Sequence, residues 1–177
     1  MPRIPYQPFD LAEPAPIVNA IRARRGGDLM NLDRMLLHSP AFARGWNAFL
    51  GEVRTGLELS PKLRELAMCM VAVLNGAEYE FHHHAPLFIK AGGTMEQAEA
   101  LRSLAKPGGD LSMFDAGERA AIALTVEMTR NVEVKDATMA AVRLALENDQ
   151  LVVELVGVIA TYNMVSRFLV ALGVEPE

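Results

Sequence analysis

Side chains that can move protons at neutral pH are concentrated in one short stretch of the chain. Three histidines stand next to one another at His82–His84, with Tyr79 and Glu80 shortly before them. Histidine is the side chain that titrates nearest to neutral pH, which suits it to general acid and base chemistry. On a helix, side chains four residues apart share a face, so Glu80 would lie beside His84 and Tyr79 beside His83. Only one such face can point inward, so at most two of the three histidines are expected to act.

The elements that must position these side chains are helices. Ser60-Pro61 is a typical helix start, because serine accepts hydrogen bonds from the first backbone amides and proline needs no amide partner there. Apolar residues recur every three or four positions from there to Asn75-Gly76, which is expected to end the helix. This pattern places Glu65 on that helix. A second predicted helix, residues 77–91, carries the histidines and ends at Gly92-Gly93.

The rest of the chain follows the same helical pattern. Capping boxes, in which two side chains each bond the other's backbone amide, are predicted at Thr94–Gln97 and Asp115–Glu118. Apolar and polar residues do not alternate as they would in a strand. The predicted fold class is therefore all-α, with about seven to eight helices. Residues 1–16 are predicted to form an irregular, proline-rich arm and residues 17–177 a single helical domain, because the Lys106–Gly109 loop is too short for a linker.

The final predicted helix, residues 148–172, is apolar on nearly every side. A helix of this kind lies either at the centre of a large core or against another subunit. In a chain of 177 residues we expect the second arrangement. The protein is therefore predicted to form a homo-oligomer, in the first place a trimer or hexamer, with a dimer also open.

Composition argues against several classes of protein. Lys and Arg number 17 against 22 Asp and Glu, a formal charge of −5, so there is no basic excess for nucleic acid. Apolar runs such as residues 67–74 and 155–162 fall short of the roughly 20 residues that cross a bilayer, so no membrane partner is expected. The single cysteine, Cys69, cannot form an internal disulfide, which favours a reducing cytoplasm.

Three segments resemble the carboxymuconolactone decarboxylase and alkylhydroperoxidase D superfamily. They are Pro61–Ala67, Asn75–His84 and Ala91–Ala98. In the peroxidase branch of that family, a glutamate is followed twelve residues later by a C-x-x-C pair, and a histidine stands four residues past the second cysteine. Glu65 and His84 keep that spacing here, but Ala77 and Glu80 occupy the cysteine positions.

The resemblance implies an alkylhydroperoxidase D-like helical fold in an obligate oligomer, while the missing cysteines argue against one activity. Hydroperoxide reduction in this family needs a reactive thiolate and a second thiol that resolves the sulfenic acid. Neither Ala77 nor Glu80 can supply a thiol. What remains resembles the decarboxylase side of the superfamily, whose acid and base residues act on a small organic acid or lactone without metal or organic cofactor. The resemblance therefore implies a lyase that acts on a small molecule and has no cofactor.

Three side chains are predicted to perform this chemistry. In the pair Glu80 and His84, the carboxylate would orient the imidazole and stabilise its protonated form, while the histidine moves the proton. Glu65, from the preceding helix, would be a second carboxylate or relay. Arg167 or His38 would bind a carboxylate of the substrate. The full set of predicted substrate contacts, assigned from residue type, is Tyr79, His83, His38, Asn163 and Arg167.

Two other functions remain open on the same scaffold. One is a noncatalytic binding or assembly protein that has lost the thiols, and the other is a peroxidase that uses Cys69. A cysteine among Met68, Met70 and Val71 usually behaves as a small apolar residue, which disfavours the peroxidase. Successive histidines on a helix point about 100° apart, so they cannot converge on one metal ion without ligands from other helices. No metal site is therefore predicted.

Overall fold

The computed structural model describes residues 1–104 and 109–177, and over these residues the chain forms nine helices and no strand. The helices are α1 (Ala15–Arg25), α2 (Asn31–Leu36), α3 (Pro40–Thr55), α4 (Pro61–Asn75), α5 (Glu78–Lys90), α6 (Met95–Leu104), α7 (Ala116–Arg130), α8 (Asp136–Ala145) and α9 (Asp149–Leu172). The all-α class predicted from the sequence is confirmed. The count exceeds the predicted seven to eight helices, and α2, with six residues, is the shortest of them.

The helices are divided between two compact units. Unit 1 comprises Met1–Leu57 and Ala171–Glu177, and unit 2 comprises Glu58–Val170. The single domain over residues 17–177 and its boundary at residue 16 stay predictions. Residues 106–108 of the predicted Lys106–Gly109 loop lie outside the described part of the chain.

Unit 1 holds α1 to α3 together with a proline-rich N-terminal segment that has no helix before Ala15. Arginines of the first two helices bind backbone carbonyls of that segment. Arg22 Nη2 donates to the Phe9 carbonyl at 2.8 Å, and Arg34 Nε donates to the Gln7 carbonyl at 2.6 Å. The segment is thus fixed by bonds from cationic side chains, which are stronger than bonds between neutral groups.

α4 is the most deeply buried helix of unit 2. Residues 65–72 are all buried, because α4 packs against α5, α6 and α7. The helix begins as predicted, since Ser60 Oγ accepts from the Leu63 amide at 3.3 Å and Pro61 occupies the first helical position. Side chains on this segment are therefore held away from water on every side.

A tight turn joins α4 to α5. Gly76 ends α4 with a φ of +64°, a left-handed conformation that glycine adopts without strain. The Ala77 amide then donates to the Ala72 carbonyl at 2.8 Å, which satisfies a carbonyl at the helix end. Because α5 begins at Glu78, the helix that carries the histidines packs directly against α4. The predicted stop at Asn75-Gly76 is confirmed.

Both predicted capping boxes are present. Thr94 and Gln97 exchange two backbone to side-chain bonds of 3.1 Å. Asp115 and Glu118 do the same at 2.9 and 2.8 Å. These reciprocal bonds satisfy amides at the N-termini of α6 and α7, which otherwise lack helical partners.

α9 is 24 residues long, and length and composition alone would let it cross a membrane. Its apolar window has a mean hydropathy of 1.7, although its uninterrupted apolar runs are short. Half of that window is buried inside the protein, as in the core helix of a soluble protein, so a single such helix is weak evidence for a membrane span. Its buried face includes Leu155, Val158, Ile159, Tyr162 and Val165.

Candidate active site

A buried carboxylate and imidazole join α4 to α5. Glu65 Oε2 and His84 Nδ1 are 2.7 Å apart, and each residue exposes 6% of its surface. An ionised carboxylate can only accept a hydrogen bond, so the ring nitrogen donates. This places the proton of a neutral imidazole on Nδ1, so that Nε2 is the ring nitrogen that carries the lone pair. The pair has the geometry of a base oriented by a carboxylate.

A second buried carboxylate, Glu80, lies one helical turn before His84 and exposes 2% of its surface. The hydroxyl of Ser166, on α9, donates to Glu80 Oε2. Tyr162, one turn before Ser166, places its ring edge-on to the His84 imidazole, with 4.9 Å between the ring centroids. α9 thus contacts Glu80 and His84 of α5, and the three predicted catalytic residues lie in one cluster, which we call the acid/base cluster. Its members are Glu65, Glu80, His84, Tyr162 and Ser166.

The carboxylate with the 2.7 Å bond to the imidazole belongs to α4, whereas the sequence spacing assigned the orienting role to Glu80 of α5. Helical periodicity identifies side chains that share a face, but it gives no distance to a neighbouring helix. Tyr162 and Ser166 were missed altogether. The signal that could have found them is their position in an apolar helix, because buried polar groups need hydrogen-bond partners.

Cys69 lies on α4, one turn after Glu65, and none of its surface is exposed. Burial raises the pKa of the thiol far above its ordinary value, and the Glu65 and Glu80 carboxylates raise it further. The Arg102 guanidinium offsets only part of this effect. Since the thiolate is the nucleophile, a thiol that stays protonated is unsuited to peroxide chemistry.

The other two adjacent histidines have different surroundings. His82 is exposed, and His83 is half-buried. His83 Nδ1 donates to the Tyr79 carbonyl at 2.8 Å, and the two rings lie 4.3 Å apart. Tyr79 itself exposes 5% of its surface. The predicted substrate contacts of Tyr79 and His83 therefore involve two residues that pack against each other along α5.

Asn163 uses both ends of its amide within the chain. Its Oδ1 accepts from Asn75 Nδ2 at 3.1 Å and from Arg167 Nη1 at 2.8 Å. Its Nδ2 donates to Thr129 Oγ1 at 2.9 Å and to the Ile159 carbonyl at 3.0 Å. The amide thereby ties α9 to α4 and α7, which gives Asn163 and Arg167 a structural role beside the substrate contact predicted for them.

His38 belongs to unit 1, where its side chain is exposed. Its Nε2 donates to the Pro5 carbonyl at 2.7 Å, and its Nδ1 accepts from Gln7 Nε2 at 3.1 Å. Both ring nitrogens are thus bound to the N-terminal segment. The carboxylate-binding role predicted for His38 would require these bonds to open.

Metal ligands do not come together in the part of the chain that is described. Over residues 1–104 and 109–177, no group of three or more His, Cys, Asp or Glu side chains is placed to hold a metal ion.

Part of the chain is similar to a known family. Residues 40–123, which run from the start of α3 into α7, match the model of the Carboxymuconolactone decarboxylase family. The match covers just under half of the chain, and over that segment it confirms the predicted resemblance to the carboxymuconolactone decarboxylase family. The match includes all of α4 and α5, and therefore Glu65, Glu80 and His84. No curated protein matches the sequence significantly.

Solved structures share the fold of this carboxymuconolactone decarboxylase-like chain over its whole length. An uncharacterized peroxidase-related protein from Silicibacter sp. TM1040 is 20% identical with a TM-score of 0.80, covering 99% of this chain and 94% of that chain. A protein described as an alkylhydroperoxidase AhpD core, an uncharacterized peroxidase-related protein from Ralstonia eutropha JMP134, is 18% identical with a TM-score of 0.82, covering 99% and 92%. At these identities the likeness shows the fold alone.

A third structural neighbour has a named activity. A Cys-to-Ala variant of the debrominase Bmp8, in complex with 2,3,4-tribromopyrrole, is 13% identical with a TM-score of 0.78, covering 100% of this chain and 94% of that chain. The superfamily fold thus occurs in proteins with different descriptions, and a fold alone does not assign a reaction.

Proposed function

We propose that this carboxymuconolactone decarboxylase-like chain is a cofactor-free lyase or isomerase that moves a proton at a carbon atom of a small organic acid or lactone. The observation that carries the proposal is the buried 2.7 Å bond between Glu65 Oε2 and His84 Nδ1. A carboxylate that accepts from one ring nitrogen leaves the other as a base and stabilises the imidazolium once the proton has moved. The match of residues 40–123 to the family model supports the substrate class.

In the proposed reaction, His84 Nε2 takes a proton from the carbon next to a carbonyl group. The electron pair of that C–H bond moves into the carbonyl and gives an enolate. Return of the proton to another carbon of the enolate yields an isomer. In a decarboxylation, the electron pair of the breaking C–C bond forms the enolate, carbon dioxide leaves, and the His84 imidazolium supplies the proton to carbon.

Glu80 is the proposed second acid or base. It lies one turn before His84 on α5, and its orientation is fixed by the hydroxyl of Ser166. With a second carboxylate in the site, one group can deliver a proton to the substrate while the other takes one up. This is the arrangement of active sites in which one ionisable group is protonated and its neighbour is not. Tyr162 contributes its edge-on contact to the position of the imidazole.

A noncatalytic binding or assembly role is the second candidate, and burial of the cluster favours it. Glu65, Glu80 and His84 expose only 6%, 2% and 6% of their surfaces. A substrate reaches them only if neighbouring side chains move. A protein that had lost catalysis would keep such a closed polar core for packing alone.

Exchange of carbon-bound hydrogen for deuterium separates the two candidates. Wild-type protein, His84→Gln and the exposed control His82→Gln are incubated in D2O with carboxymuconolactone and with muconolactone, and exchange and carbon dioxide release are followed by NMR. We expect exchange or decarboxylation in the wild type and in His82→Gln, and loss of about 10²- to 10⁴-fold in His84→Gln. Wild-type protein that is folded but catalyses neither process would support the noncatalytic role.

A further inference from the structure

The Glu65 carboxylate has a cation beside it as well as the imidazole. Its Oε2 is 2.7 Å from His84 Nδ1, and its Oε1 is 3.9 Å from Arg64 Nε. A hydrogen bond from an N–H group to oxygen spans about 2.7–3.2 Å, so Arg64 and Glu65 attract each other without forming one. Their side chains expose only 13% and 8% of their surfaces. Arg64 thus brings a largely buried positive charge to the edge of the acid/base cluster.

The Nε atom of Arg64 is a buried donor without an acceptor. Among the residues that the structure describes, none accepts a hydrogen bond from this nitrogen. Buried polar groups nearly always have a hydrogen-bond partner, because an unpaired donor loses its bonds to water and gains none. Glu65 cannot serve as the partner, since successive side chains on a helix point about 100° apart. The fold therefore buries an N–H group of Arg64 that it does not use.

Two other cations of unit 2 are held by groups of the fold. Lys62 Nζ lies 2.5 Å from the Glu118 carboxylate, and Arg167 Nη1 donates to Asn163 Oδ1 at 2.8 Å. Arg64 differs from both, because its Nε is buried without an acceptor and lies beside the acid/base cluster. An anion that enters this cluster would therefore meet a donor that the fold leaves unused.

We propose that Arg64 binds a carboxylate of the substrate beside the acid/base cluster. The N–H groups of a guanidinium form a planar fork that matches the two oxygens of a carboxylate, and a bound carboxylate gives the buried Nε its acceptor. Because the anion is held next to Glu65, the rest of a small molecule lies within reach of His84. Arg64 thereby takes the role that residue type alone suggested for Arg167 or His38. The proposal rests on the proposed function, since it names the group that holds the organic acid.

The charge of Arg64 also makes an anionic substrate acceptable to the site. The acid/base cluster contains two carboxylates, Glu65 and Glu80, and when ionised they would repel a third one. A guanidinium beside Glu65 opposes this repulsion, and its partial burial strengthens the attraction. An uncharged ligand of the same shape gains nothing from the guanidinium. The site is therefore expected to prefer a carboxylate to its ester.

Isothermal titration calorimetry with muconolactone and its methyl ester tests this preference. The two probes differ only in whether one group is a carboxylate or an uncharged ester. We expect the wild type to bind the acid more tightly than the ester. Arg64→Met should lose about 10- to 100-fold in affinity for the acid, with little change for the ester. Arg143→Met is the control, because it removes the same charge from an exposed ion pair on α8.

Arg64→Lys separates the fork from the charge. Lysine keeps the positive charge but lacks the planar fork, so this variant should retain only part of the preference for the acid. It also keeps the proposal testable if circular dichroism shows that Arg64→Met is unfolded. A purely structural Arg64 would instead lower the free energy of unfolding when it is replaced and leave the ratio of acid to ester affinity unchanged, which would overturn the proposal.

Binding and turnover fail independently. If the acid binds through Arg64 but neither deuterium exchange nor carbon dioxide release occurs, the proposed function is wrong and the carboxylate site stands. If the wild type catalyses exchange but the Arg64 variants keep its ratio of acid to ester affinity, the function stands and the role of Arg64 is wrong. The role is also wrong if the wild type binds the acid no more tightly than the ester, binds neither probe, or loses the preference equally in Arg143→Met.

Discussion

Two buried polar groups of unit 2 both connect α4 and α9 with a third helix, but they differ in their chemistry. The Asn163 amide makes four hydrogen bonds within the chain, and the two to Asn75 and Thr129 link α9 to α4 and α7. The acid/base cluster links α4 to α5 and α9, but its central members, Glu65, Glu80 and His84, can each gain or lose a proton. The first arrangement fixes helices in place. The second retains side chains whose protonation can change during a reaction.

This difference shows what a buried polar residue in an apolar helix can mean. The sequence assigned His84 to the site from its spacing to Glu80 and Glu65, and it assigned Asn163 as a substrate contact. An amide with both ends bonded has used its hydrogen-bonding capacity on the fold. A histidine whose Nδ1 donates to a carboxylate carries a lone pair on Nε2 and can change its protonation. The chemical kind of each group and its partners, which only the structure gives, separate the two roles.

The largest effect is expected from Glu65→Gln. The new amide can donate to His84 Nδ1 and so stabilise the tautomer whose proton is on Nε2. In that tautomer Nε2 has no lone pair with which to take a proton from the substrate. Proton exchange at the substrate carbon should fall by about 10³- to 10⁴-fold, as when the orienting carboxylate of a catalytic histidine becomes an amide. Deuterium exchange followed by NMR measures it. If exchange in Glu65→Gln stays within tenfold of the wild type, Glu65 does not hold His84 as a catalytic base. The acid/base cluster would then not differ in function from the Asn163 amide.

Asn163→Leu should instead act on stability. It removes four hydrogen bonds and leaves groups such as Asn75 Nδ2 without the Asn163 acceptor, so the free energy of unfolding should fall by about 2–4 kcal/mol. Urea denaturation measures this change. Asn131→Leu, at the exposed end of α7, is the control for the same side-chain change. A stable Asn163→Leu protein with weakened substrate binding would show that the amide belongs to the site.

The buried thiol of Cys69 should make the free energy of unfolding depend on pH above about 9. Its folded pKa lies above its unfolded value near 9, because burial disfavours the thiolate. The unfolded state therefore loses its proton first as the pH rises, and stability that is complete below pH 9 declines above it. The slope is at most about 1.4 kcal/mol per pH unit, and it should be absent in Cys69→Ala.

The same burial predicts the reactivity of the thiol. Ellman's reagent should label Cys69 only after denaturation, and hydroperoxide turnover should be equal in wild-type and Cys69→Ser protein. Rapid labelling of the folded protein, or peroxidase activity that disappears in Cys69→Ser, would restore the peroxidase interpretation.

The smallest effect is expected from Ser166→Ala. This change removes one donor to a buried carboxylate, so we expect a loss of about 1–3 kcal/mol in the free energy of unfolding. Thermal unfolding measures it. Thr161→Val is a useful comparison, because the Thr161 hydroxyl donates only to the Gly157 carbonyl one turn earlier. If Ser166→Ala costs less than Thr161→Val, the Ser166 bond contributes little to the acid/base cluster.

Local signals in the sequence predicted much of the fold. The Ser60-Pro61 start, the Gly76 stop and both capping boxes are decided by side chains within four residues of the backbone groups that they satisfy. Family resemblance and helical spacing also found Glu65, Glu80 and His84. These features depend on short segments, so one sequence is enough to identify them.

The contacts between helices could not be predicted in the same way. The bond from Glu65 to His84 joins two helices, and Ser166 reaches Glu80 from 86 positions further along the chain. The packing of three helices decides which side chains meet, and helical periodicity does not contain that information. His38 was assigned by residue type alone, and its bonds to the N-terminal segment depend on unit 1.

The tautomer of His84 is the most direct test of the central claim that Glu65 holds this imidazole as a base. Long-range ¹H–¹⁵N NMR of uniformly labelled protein at neutral pH distinguishes the two ring nitrogens, and His84→Gln assigns the signals. We predict a proton on Nδ1 and an unprotonated Nε2. A neutral ring with its proton on Nε2 would mean that Glu65 donates rather than accepts, and it would contradict the proposed acid/base function.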